Sequence, residues 1–164
     1  MKHIVLSIFI LITLAATAQT PSVKRFADLV NMHNIDSVTA YADKLGYVKG
    51  IEIPQIGNMY EFAITSFAKK DTGVVKSSIS YSSGHHYAMN QGPLMVSISY
   101  YTSSKTEFDT LVDEIKTLGV TETLYEDGDP YYHLYNYADV KISTYINSTS
   151  NTEKYSISFN VNYW

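Results

Sequence analysis

The clearest alternation of apolar and polar positions closes the chain. Tyr155, Ile157, Phe159, Val161 and Tyr163 alternate with Ser156, Ser158, Asn160 and Asn162. Side chains on a strand point to opposite faces in turn, so this stretch predicts a β-strand with one apolar face and one small polar face. The same writing occurs at 96–100, Val-Ser-Ile-Ser-Tyr, inside a strand predicted over 94–101. The echo suggests a half-buried sheet built twice.

Helical spacing occupies three other places. Phe26, Leu29, Val30 and His33 predict a short helix over 22–33. Val38, Tyr41, Ala42 and Leu45 form an i, i+3, i+4, i+7 stripe over 37–45, with Asp36 as its cap and Gly46 as its stop. Ser104 and Glu107 fit a capping box, and Phe108, Leu111, Val112, Ile115 and Leu118 follow as a stripe that Gly119 ends.

Between the helices the period is two. Ile51 and Ile53 alternate with Glu52 and Pro54 in a short strand of edge type, because it contains proline. Strands are expected over 59–68, 75–81, 120–125, 131–137 and 140–146. Turns are expected at 57–58, 69–73, 126–130 and 147–152, and a loop over 82–93.

Two halves then line up. Lys44-Leu-Gly46 matches Thr117-Leu-Gly119 at the helix ends. Val75-Lys-Ser-Ser78 matches Val140-Lys-Ile-Ser143, and Ser97-Ile-Ser-Tyr100 matches Ser156-Ile-Ser-Phe159. The expected fold is α+β: two tandem units, about 22–102 and 103–164, each a helix with antiparallel strands. Together they form a broad antiparallel sheet with helices on one face. The Ser/Lys/Asn/Tyr face is left to water, as antiparallel sheets allow.

That element order resembles the tandem-repeat secreted proteins of the β-lactamase inhibitor protein type, in which the open sheet face grips a partner. The resemblance implies an inhibitor-like role in binding a protein. The disulfides of that family are missing here and no motif matches residue by residue, so no functional residue is carried over.

The first residues read as an export signal, not as fold. Lys2 supplies charge, 4–14 is nearly all apolar, and Ala16-Thr-Ala18 offers the small residues a signal peptidase requires. Residues 1–18 are the expected signal peptide, with an ending that resembles exported proteins of the Bacteroidetes. Residues 19–164 are the expected single secreted domain, periplasmic or extracellular. No later stretch reaches the ~20 apolar residues of a membrane span. A domain of this length buries enough surface to stand without disulfides, and the chain has no cysteine.

Of 12 basic and 16 acidic residues the signal takes Lys2, so 11 − 16 leaves a net charge of −5. That excludes a nucleic-acid binder, which needs a basic face. The unusual count is tyrosine, 15 against 6 Phe and one Trp. Tyrosine suits half-exposed sheet faces, and it is also enriched at recognition surfaces.

Motifs for catalysis are sparse. There is no Gly-Xaa-Ser-Xaa-Gly elbow, no phosphate loop and no metalloprotease helix. His85 and His86 are adjacent, whereas zinc sites use spaced pairs, so they read as a polar exposed loop and no metal or cofactor is expected. Glu126-Asp-Gly-Asp129 resembles a fragment of a calcium loop but lacks the later ligands, and a turn before Pro130 explains it. Asp36-Ser-Val38 and Asp109-Thr-Leu111 resemble an O-glycosylation pattern, but capping by Asp36 and core packing by Leu111 explain them. The expected function is non-catalytic binding through the open face at Tyr101 and Tyr145, together with the loop residues His85, His86 and Tyr87. The alternatives are a carbohydrate-binding module, in which aromatic rings stack on sugars, and a small hydrolase.

Overall fold

The computed structural model describes residues 20–56, 60–86, 95–123, 132–147 and 154–162. The expected signal peptide, the 126–129 turn and Tyr87 lie outside them. Among the described residues three helices and eight strands follow in the order α1 (Val23–Met32), α2 (Ile35–Lys44), β1 (Val48–Ile56), β2 (Tyr60–Asp71), β3 (Val74–His86), β4 (Met95–Thr102), α3 (Lys105–Thr117), β5 (Thr121–Thr123), β6 (Tyr132–Tyr137), β7 (Val140–Asn147) and β8 (Lys154–Asn162). The fold is α+β. Among the described residues no helix is long and apolar enough to cross a membrane.

All eight strands form one antiparallel sheet in the order β1-β2-β3-β4-β8-β7-β6-β5. The two strand groups therefore join through their final strands. At the junction Ser99 faces Ser158, and their hydroxyls lie 2.9 Å apart. The flanking pairs are Ile98 with Phe159 and Tyr100 with Ile157. These positions interchange under a half-turn about the serine pair, so the junction has a local two-fold axis. Ile79 lies opposite Tyr100 and Ile142 opposite Phe159, which makes Ile79 and Ile142 the matching positions of β3 and β7. The match drawn from Val75 and Val140 is thus displaced by two residues, and it still keeps each residue on its proper face.

Alternation sorts the sheet into two faces. On β8, Tyr155, Ile157, Phe159 and Val161 are buried; on β4, Val96, Ile98, Tyr100 and Thr102 are. The helices cover that face. The main cover of β8 is α1, from the far end of the chain, and not α3, the helix of the same half. Phe26 of α1 sets its ring 5.3 Å from Phe159, 5.7 Å from Tyr100 and 5.5 Å from Tyr41 of α2. Helix α3 reaches β8 near its start, where Phe108 stacks on Tyr155 at 5.0 Å. Helix α2 lies over β1 and β3.

The helix ends differ from expectation in instructive ways. Helix α2 begins two residues earlier than predicted. Asn34, not Asp36, is the cap, and its Oδ1 accepts from the amides of Asp36 at 2.8 Å and Ser37 at 3.4 Å. Ser104 caps α3 by accepting from the Glu107 amide at 3.3 Å. The return half of the capping box is relayed: Thr102 Oγ1 accepts from the Ser104 amide at 3.0 Å and donates to Glu107 at 2.7 Å. Gly46 and Gly119 have φ of 79° and 69°, a left-handed conformation that glycine adopts at no steric cost. The α1 cap was not foreseen. Ser22 makes no side-chain cap. Instead Glu114 of α3 accepts from Ser22 Oγ at 2.8 Å and from the amides of Val23 at 3.0 Å and Lys24 at 3.2 Å. A carboxylate satisfies orphan amides there and meets the positive end of the helix dipole.

Candidate functional site

The open face of the sheet is covered by small polar side chains. One row crosses five adjacent strands and consists only of serine: Ser66, Ser80, Ser99, Ser158 and Ser143. A parallel row holds Ile64, Ser82, Ser97, Asn160 and Lys141. The next row on the other side carries Ser78, Tyr101, Ser156, Tyr145 and Tyr132. Tyr101 is 45% exposed and Tyr145 is 41% exposed. They stand two strands apart with Ser156 between them, so their backbones are roughly 10 Å apart. The small neighbours leave both rings standing above a low surface.

The structure therefore brings Tyr101 and Tyr145 together and adds Tyr132 to their row. It does not bring the histidines to them. Residues 82–86 are strand, not loop: β3 runs on to His86, with His85 opposite Glu61 and His86 opposite Tyr60. Ser78 marks the Tyr101 row on β3, and His85 lies seven positions beyond it, about 23 Å along the strand.

A hollow of about 290 Å³ opens beside Tyr101. Lys76 and Lys154 line it together with Ser78, Ser103 and Tyr101. Lys76 also pairs with Asp71 at 2.5 Å, both side chains being more than half exposed. That ammonium holds the Asp71 carboxyl below its usual range. Neither lysine was singled out from the sequence. A local signal was present for both, Lys154 two positions before Ser156 and Lys76 two before Ser78, but their meeting beside Tyr101 depends on how three strands pair.

Two other hollows lie on the helix side. One, of about 420 Å³, is lined by Lys69, Lys70, Asp71, Lys76 and Glu107, among others. Most of its charges are already engaged. Lys69 donates to the Leu45 carbonyl at 3.2 Å and lies over the Tyr47 ring, Lys76 pairs with Asp71, and Glu107 accepts from Thr102. Beneath it lies a buried hydroxyl cluster, in which the Tyr47 hydroxyl is 2.8 Å from Ser77 Oγ and donates to the Tyr100 hydroxyl at 3.3 Å. Burial pushes both phenols up, and for Tyr100 the contact with Tyr47 adds to the effect. The second, of about 310 Å³, lies between α3 and the outer strands, with His133 Nδ1 2.9 Å from Glu122 Oε1 over Phe108, Val112 and Ile146. Among the described residues no group of three or more His, Cys, Asp or Glu side chains converges.

No known protein family, curated protein or solved structure matches this chain.

Proposed function

We propose that this chain is an exported, non-catalytic binding protein that engages its partner, a protein or a glycan, through the open face of its sheet. The observation that carries the reading is the row of Tyr101, Ser156 and Tyr145, with half-exposed rings standing above serines. Tyrosine offers a large contact area with little entropy to lose, and hot spots of binding are enriched in it. The helix-side hollows support the non-catalytic reading, since each of their carboxylates is engaged by a neighbouring side chain, Asp71 by Lys76, Glu107 by Thr102 and Glu122 by His133. The proposed location is the periplasm or the cell exterior, after removal of residues 1–18.

The test is retention of cell-envelope material by the immobilised protein, before and after Tyr101→Ala and Tyr145→Ala are made together. Loss of retention in the double variant supports the reading. Unchanged retention removes the open face as the site.

A further inference from the structure

The hollow beside Tyr101 differs chemically from the rest of the serine-covered face. Its two lysines flank the Tyr101 strand from both sides, Lys76 on β3 and Lys154 on β8. Among the described residues no carboxylate lines it; Asp71, the partner of Lys76, is not part of the lining. The open face as a whole carries no acidic residue in its three central rows, while the chain has a net charge of −4. The acid-free, lysine-bearing region is therefore set against the average of the molecule, which is what electrostatic complementarity to an anion looks like.

We propose that this hollow binds one anionic sugar unit, carboxylated or sulfated, of a polysaccharide lying across the open face. The inference rests on the reading that the open face is the binding surface. The sugar ring stacks on Tyr101, and its acid group lies between Lys76 and Lys154. The polymer continues over Ser156 to Tyr145. The size fits: about 290 Å³ is at the small end of ligand pockets, enough for one unit and not for an oligomer. The Lys76–Asp71 pair is exposed, and such pairs hold weakly, so a ligand's acid group can compete for the ammonium.

An acidic peptide matches the charge but not the surroundings. Peptides commonly add to a sheet as an edge strand, and both edges here are poor hosts. Strand β1 carries Pro54 and a register shift between Lys49 and Glu52, and β5 has only three residues. The open face offers serine hydroxyls in place of apolar sockets for alternate side chains. Hydroxyls both donate and accept, as sugar hydroxyls do.

The experiment is a titration of the purified protein with four probes: oligogalacturonate, its full methyl ester, a chondroitin sulfate oligosaccharide and polyglutamate. The expected result is binding of the carboxylated glycan, the sulfated glycan or both, falling with added salt, and at least about tenfold weaker for the methyl ester. Lys154→Gln and Tyr101→Ala each weaken it about tenfold, the scale of one charge-assisted contact. Lys116→Gln, on the helix side, leaves it unchanged. Equal binding of polyglutamate, equal effects of Lys116→Gln and Lys154→Gln, or no binding of either anionic glycan overturns the proposal. If the methyl ester binds as well as the acid and Tyr101→Ala still abolishes binding, the open-face reading stands and the anionic sugar falls. If neither probe binding nor envelope retention depends on Tyr101, both fall.

Discussion

Tyr100 and Tyr101 are neighbours with opposite environments. Tyr100 is 1% exposed and holds its hydroxyl within the buried cluster of Tyr47 and Ser77, while Tyr101 is 45% exposed. The alternation of β4 makes that difference legible from the sequence alone. The partners of Tyr100 are not legible, because Tyr47 arrives from the connection between α2 and β1 and Ser77 from β3. The cluster has a consequence at high pH. A tyrosine in the unfolded chain loses its proton near pH 10, whereas burial holds the folded Tyr47 and Tyr100 phenols protonated above that point. Below about pH 10 both states keep these protons, and the stabilisation is fully present. As pH rises further, the unfolded state binds fewer protons than the folded one, so stability falls. Urea midpoints measured from about pH 9 to 11 are expected to drop, and to drop less in the variant carrying Tyr47→Phe and Tyr100→Phe.

At the scale of elements, α1 is the piece that joins the others. Its stripe of Phe26, Leu29 and Val30 is readable from spacing, and each of these residues is buried. Its position is not readable. It lies over β4, β8 and β7 and touches both other helices, because it fills the centre of the covered face. Phe26 is in ring contact with α2, β4 and β8 at once, so Phe26→Ala is expected to cost about 3–5 kcal/mol in denaturant unfolding. The Glu114 contact is a separate test. Glu114→Gln keeps the shape and loses the charge at the α1 N-terminus, with an expected cost of about 1 kcal/mol. Glu114→Ala leaves two amides and a hydroxyl without their partner, and about 2 kcal/mol is expected. The order Gln milder than Ala is the outcome to check in thermal melts. Glu114 lies outside the apolar stripe of α3, and nothing local could show that another helix begins against it.

For the whole molecule, most elements were visible in the period of the sequence. Their assembly was not, because similarity between two segments marks two alike strands without saying that they pair. The Val-Ser-Ile-Ser echo became the β4–β8 junction. By contrast, the expected grouping of His85 and His86 with Tyr101 failed because alternation does not report how far a strand continues, and β3 continues past the expected loop. The junction also sets cooperativity. Strand β8 is bonded on both sides, to β4 and to β7, and its pairing with β4 joins the two strand groups within the sheet. A proline there removes a ladder donor at the centre of the sheet, so Ser158→Pro is expected to cost at least about 3 kcal/mol. Thr123→Pro, on the three-residue edge strand β5, is expected to cost less than half of that. Calorimetry of the two variants checks this order: the midpoint is expected to fall much further for Ser158→Pro than for Thr123→Pro.

The position of β8 in the chain adds a matter of timing. Ribosomes and export channels deliver a polypeptide from its N-terminus, so β1 through β7 are all delivered before β8. Until it comes, β4 and β7 each present an unfilled side, and Phe26 of α1 lacks the Phe159 ring against which it packs. The seam that unites the sheet is written after both of the parts it unites, and a chain caught before that point holds two open edges and no completed core.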